Sequence, residues 1–144
     1  MTMAKAGYYN DALLIDDTFN ANSDGVKAGL DYLHISKGKK ILVLTPLIEL
    51  GDTVHDVHQQ LGKYASETCD YIFVTNENYK IDFLKNVPST EQKRVIYDSY
   101  AALARKLKNI VQKGDVVVFE GKEAGNVLRL LLSKYEMYEH NKKE

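Results

Sequence analysis

Residues 12–33 read ALLIDDTFNANSDGVKAGLDYL, an apolar run that ends in two aspartates, crosses an Asn-rich turn and opens an amphipathic segment. Leu13, Leu14 and Ile15 form a continuous apolar run too short for a helix, the pattern of a strand buried on both faces. Asp16 and Asp17 stand at its carboxyl end. Asn20, Asn22 and Ser23 supply side chains that accept from the free N–H groups of a starting helix, and Val26, Gly29, Leu30 and Leu33 recur at i, i+3, i+4 and i+7. The spacing predicts a helix beginning near Asn22. A strand that hands over to a helix in this way is where parallel α/β sheets bind ligands. Capping and turn formation account equally well for the Asp and Asn residues.

The same alternation continues to the end of the chain. Ile41–Leu44, Tyr71–Val74, Arg94–Tyr97 and Val116–Phe119 read as further strands. Val54, Val57, Leu61, Tyr64, Ala65 and Thr68 define a helical stripe, and a short helix is expected near Tyr79–Lys85, before Pro88 breaks the pattern. Asp98 or Ser99 can cap a helix whose Tyr100, Leu103, Leu107, Ile110 and Val111 face inward, and Gly114 suits a turn beyond its end. Ala124, Val127, Leu128, Leu131 and Tyr135 make a last helix. Repeated β-then-α units predict an α/β fold: a Rossmann-like three-layer α/β/α sandwich around a mainly parallel sheet of five to six strands. Four polar clusters, residues 16–22, 45–51, 75–78 and 120–123, would meet at the carboxyl edge of that sheet. The expected organisation is an N-terminal extension over residues 1–11, one domain over 12–136 and a charged, frayed tail over 137–144.

Composition narrows the function classes. A chain of 144 residues with 44% hydrophobic residues is the size of one domain with a real core. A net charge of −1 gives no electrostatic reason for a nucleic acid or membrane partner. No apolar run approaches the length of a membrane span, and the opening MTMAKAGYYND lacks a signal-peptide core, so a cytoplasmic protein is expected. Cys69 is alone and reads as a buried structural thiol. His55 and His58 lie three apart on a predicted helix, but no Cys or carboxylate set at ligand spacing completes a metal site, and His58 is expected to bond locally. Asp16 and Asp17 cannot face the same way along one strand, so a paired acid/base role needs support from another segment.

DDTFNANSDGVKAGLDYL is similar to the opening of the C-terminal domain of the Mur ligase family, most of all the MurF-type enzymes that add D-alanyl-D-alanine to a peptidoglycan precursor. ILVLTPLIELGDTVHDVHQQLGKYA resembles the next strand, the loop with its ELG signature and the following helix, including His58 and Gly62. GDVVVFEGK, residues 114–122, resembles the last main strand and a loop that in most relatives reads KGS. The resemblance runs from about Leu13 to about Tyr135. It implies a domain that closes over a central ATP-binding domain of the same ligase and brings an amino acid or dipeptide acceptor to an acyl-phosphate. Asp17 matches the family aspartate at the ribose of ATP, and Asn20 and Asn22 match the turn beside the nucleotide and acceptor. Thr45, Pro46 and Leu47, with Gly121, Lys122 and Glu123, match positions that approach the acceptor. ATP and Mg²⁺ would be held mainly by the central domain, with no catalytic residue and no metal ligand in this chain.

The departures are specific. Thr45, Pro46 and Leu47 stand where the commoner triplet is GDM, Glu120 to Glu123 stand at the KGS loop and exchange a positive site for an acidic one, and Ser23 replaces a proline. No GxxxxGK[ST] loop occurs to cradle phosphates, and the Gly-Lys run at residues 36–40 reads as a solvated turn. The 144-residue chain alone is therefore expected to have no ligase activity. Two functions are consistent with these residues: the acceptor-positioning and closing domain of an ATP-dependent amide ligase, or a stand-alone Rossmann-like binding or scaffold module without catalysis. A nicotinamide dehydrogenase is a distant third, since no GxGxxG succeeds the first strand.

Overall fold

The most buried of the described strands occupies the middle of the sheet. In the computed structural model, which describes residues 4–20, 22–47 and 51–132, Val116–Glu120 (β6) is buried at every position. It pairs in parallel with Ala12–Asp17 (β2) on one side and Lys40–Leu44 (β3) on the other. Among the described residues the order is β1-β2-β6-β3-β4-β5, with Tyr71–Val74 (β4) and Val95–Tyr97 (β5) extending the parallel part. β1, Ala4–Tyr9, runs antiparallel to β2 through the two-residue turn Asn10-Asp11, both at positive φ. That is the backbone of the tight hairpin whose twist matches its strands. Residues 4–9, expected within an N-terminal extension without an element of their own, form this edge strand.

Helices cover both faces. Ser23–Ile35 (α1), Val54–Thr68 (α2) and Lys80–Leu84 (α3) line one side. Their Val26, Leu30, Leu33, Leu61, Ala65 and Phe83 pack on Ile15, Leu42, Leu44, Ile72, Val74 and Val118. Tyr100–Ile110 (α4) and Lys122–Leu131 (α5) cover the other side, with Leu103, Leu107, Val127 and Leu131 on Leu14, Val43, Phe73 and Phe119. This is the expected three-layer, Rossmann-like arrangement. Asn22 caps α1 and Ser99 caps α4, each accepting a backbone N–H one turn on. The predicted inward Tyr135 and the Glu49-Leu50 part of the ELG signature lie outside the described residues.

Three details differ from a simple pattern. Tyr64 and Tyr100 are half-buried at the rim, where their hydroxyls donate to Asp31 and Glu123. Lys39 is more than a solvated residue: its Nζ donates to the Ile110 carbonyl at 2.6 Å and faces buried Asp115 at 3.4 Å, giving that carboxylate a cation. Arg94 donates to the Ser66, Cys69 and Asp70 carbonyls and so closes the end of α2. The Cys69 thiol beside it is buried, and burial pushes it up to about 12, so it stays an inert thiol.

His58 ties α2 to the segment after β3. Its ring is 1% exposed; Nδ1–H donates to the Val54 carbonyl at 2.7 Å, and Nε2 accepts the Leu47 N–H at 3.0 Å. The Nε2 acceptor bond requires the neutral ring, and burial lowers its pKa against the opposing pull of the Val54 carbonyl. The histidine thus bonds locally, as expected, and stacks on Tyr79 at 4.7 Å.

Gly62 faces α3 so closely that a Cβ would lie 1.8 Å from the Phe83 carbonyl oxygen. Gly62→Ala is expected to cost about 2–3 kcal/mol, seen as a lower urea midpoint with an unchanged slope. Because the unfolded chain takes up the His58 proton before the folded one does, stability falls as pH drops below about 6.5. The urea midpoint is expected to fall more between pH 7 and 5 for the unaltered chain than for His58→Gln.

Candidate functional site

Every parallel strand ends at the same edge, and the segments that leave those ends build the site. After β2, Asp16 Oδ1 accepts from the Thr18 N–H at 2.9 Å and from its hydroxyl at 2.7 Å, closing a tight turn. Asp17 points to the opposite face, where Oδ1 accepts from Asn20 Nδ2 at 2.7 Å. Asn22 Oδ1 accepts the Gly25 N–H at 2.8 Å as the α1 cap. The three residues expected on the nucleotide side are therefore together, with much of their polar capacity spent on holding the turn. Phe19 projects from it with 89% of its surface exposed.

Thr45 lies just beyond β3 and joins two elements. Its N–H donates to the Glu120 carbonyl at 2.8 Å, and its hydroxyl accepts the Ala124 N–H at 2.9 Å in the first turn of α5. The approach explains Gly121: φ is +91°, and a Cβ there would meet the Thr45 Cβ at 2.5 Å. Thr45, Gly121, Lys122 and Glu123, expected on the acceptor side, are thus gathered. Pro46 and Leu47 are buried, Leu47 as part of the core. Lys122 is exposed.

Glu123 is the most elaborately held side chain at the edge. Its Oε1 accepts from the Thr75 hydroxyl at 2.9 Å and from Asn76 Nδ2 at 2.6 Å, and its Oε2 accepts from the Tyr100 hydroxyl at 3.0 Å. Partial burial works to raise its pKa, but the three hydrogen bonds outweigh that and hold the carboxyl below its ordinary value. A half-buried carboxylate kept ionised, with acceptor capacity left over, is suited to a cationic amine. Tyr100 packs against the core, as its stripe predicts, while its hydroxyl reaches the rim, and helical or strand spacing does not connect Thr75 and Asn76 with Glu123. The polar cluster at 75–78 is the available signal.

Three residues earlier the chemistry reverses. Asp17 and Glu120 are register partners on β2 and β6, and both are 0% exposed. Burial first, then the hydrogen bond and the negative charge of Asp17, push the Glu120 carboxyl far above its ordinary value. β6 is thus the second segment that an acidic pair at this edge requires.

Among the described residues no group of three His, Cys, Asp or Glu side chains gathers, and the chain has no Gly-rich phosphate loop. No helix among the described residues is long and apolar enough to cross a membrane.

Comparison with known proteins supplies the wider context. The UDP-N-acetylmuramoyl-tripeptide–D-alanyl-D-alanine ligase of Synechocystis sp. is 29% identical over 129 residues, 86% of this chain and 28% of that protein. The enzyme of the same name from Bacillus subtilis is 28% identical over 111 residues, 74% of this chain and 24% of its own length. The structure of MurF ligase from Thermotoga maritima in complex with ADP superposes with a TM-score of 0.71 at 25% identity, covering 93% of this chain and 30% of that one. The chain thus spans less than a third of the length of these relatives. The model of the Mur ligase, glutamate ligase domain, matches residues 2–123, and the chain belongs to that family, with MurF-like relatives.

Proposed function

We propose that this domain is the acceptor-side part of an ATP-dependent amide ligase of peptidoglycan precursor synthesis, and that its carboxyl edge receives an amino acid or dipeptide while closing over ATP. The observation that carries this reading is Glu123, an ionised carboxylate held by donors from the ends of β4 and α4. It receives the ammonium group of the acceptor. Thr45 and Gly121 fix the start of α5 behind it, and Lys122 stands exposed beside it for the acceptor's carboxylate. Pro46 and Leu47, both buried, act by anchoring the segment that carries Thr45.

The nucleotide side is the turn from Asp17 to Asn22, with Asp17 and Asn22 holding its shape. ATP, when bound with Mg²⁺ mainly by a central domain, supplies the activation of the acyl group. This chain's residues bind and orient the amine and exclude water from it, so their contribution is positioning. Closure of the domain is then part of turnover. The alternative, a binding or scaffold module without catalysis, is favoured by one feature: Glu120 and Glu123 in the loop where the resemblance implies a positive site.

In a longer protein that carries this domain, Glu123→Gln is expected to raise KM for the acceptor about 10- to 100-fold with KM for ATP unchanged, the size of a lost hydrogen bond to a charge. An unchanged acceptor KM removes Glu123 from the site, and binding without turnover in the unaltered long protein favours the scaffold reading. The isolated chain is expected to form no amide with ATP and acceptor; product above the enzyme-free rate overturns that expectation.

A further inference from the structure

Of the four carboxylate oxygens of Asp17 and Glu120, only Asp17 Oδ1 receives a hydrogen bond from a nitrogen among the described residues, that of Asn20. Asp17 Oδ2 and both Glu120 oxygens are buried and meet no N–H or O–H donor among the described residues. The two side chains stand on neighbouring parallel strands at matched register and on the same face, the one covered by α1. Leu44 is the partner of Glu120 on its other side, and Gly29 of α1 lies so close above that a Cβ there would be 2.4 Å from Glu120 Oε2. Val26 and Leu30 flank that glycine and are apolar and buried. No cation from β2, β6, β3 or α1 is placed against the pair; the charged group acting on Glu120 is Asp17.

Two ionised carboxylates cannot remain side by side in such surroundings without a cation. We infer that Asp17 and Glu120 share a single proton, and that Glu120 is thereby the positioning residue for Asp17 and, through Asn20, for the turn between β2 and α1. The shared proton joins a Glu120 oxygen to Asp17 Oδ2, which leaves Oδ1 to accept from Asn20. Gly29 makes room for the arrangement, because any larger residue would displace the Glu120 carboxyl. The pair carries one negative charge, and folding takes up one proton at neutral pH. That this turn faces a nucleotide rests on the proposed function; the pairing itself is read without any ligand.

Above the ordinary carboxylate range the unfolded chain has released both protons while the folded chain retains one, so stability falls as pH rises until the pair ionises completely. His58 changes stability in the opposite direction and is common to both chains in a comparison with E120Q. Urea unfolding of the unaltered chain and of E120Q between pH 6.5 and 8 is the test. The ratio of their unfolding constants is expected to rise about tenfold per pH unit, the mark of one proton. Parallel curves overturn the inference.

Carbon-13 titration of the unaltered chain decides the matter if E120Q does not fold. The Asp17 Cγ and Glu120 Cδ signals are expected to move together, with one step left above pH 7, and the Asn20 side-chain amide to move with that step. Separate steps for both carboxyls near their ordinary values of about 4 exclude a shared proton. A carboxyl pair that moves together while the Asn20 amide stays still excludes the positioning role.

Discussion

The insertion of β6 between β2 and β3 is the constraint on which the rest of the molecule depends. A strand of five buried residues has no solvent-facing side, so it must be paired on both edges and covered on both faces. Placing it there brings the end of β2 beside the end of β6, and Thr45 beside Gly121. It also forces the helices to divide, α1 to α3 on one face and α4 and α5 on the other, because each carries a single apolar stripe. The edge chemistry is a consequence of this topology, since Asp17, Glu120 and Thr45 come from segments far apart in the chain.

Much of the fold is legible in the sequence because local signals and tertiary demands agree. The Asn22 cap, the Val26-Gly29-Leu30-Leu33 stripe and the runs at 41–44 and 71–74 each state one structure and find it. β1 is harder to read because AKAGYY has no clean alternation; the Asn10-Asp11 turn that creates it is a signal of backbone conformation rather than of hydrophobic pattern. What the sequence does not contain in readable form is strand order. Without knowing that β6 sits next to β2, nothing brings Glu120 to Asp17. Nor does helical spacing alone show that Tyr100, at the rim of its stripe, turns its hydroxyl towards Glu123. Helical stripes identify which face is covered and say little about what the polar tip of an amphipathic side chain reaches.

Glu120 and Glu123 lie within one turn of chain and are driven in opposite directions. Glu120 faces the α1 layer, where it finds burial and another carboxyl, and it is pushed up. Glu123 has passed the glycine at 121 and turned to the rim, where three donors hold it down. Separation of two acids in this way is a means by which one edge assigns different tasks to similar groups. Here the buried acid belongs to the framework, and the rim acid is the one with spare capacity for a ligand.

The loop after β3 shows how the framework transmits its geometry to the rim. His58 fixes Leu47 from below, Leu47 is part of the core, and Thr45, two residues back, meets the first turn of α5. A shift of the imidazole moves Leu47 against a packed interior that does not yield easily, so the displacement passes along the short segment to Thr45 and Ala124. Glu123 is the residue next to Ala124 in the chain, and its own donors come from the ends of β4 and α4. Its carboxylate is therefore placed by groups on α2 and at the ends of β4 and α4 together, and a change in any one of these elements reaches the rim.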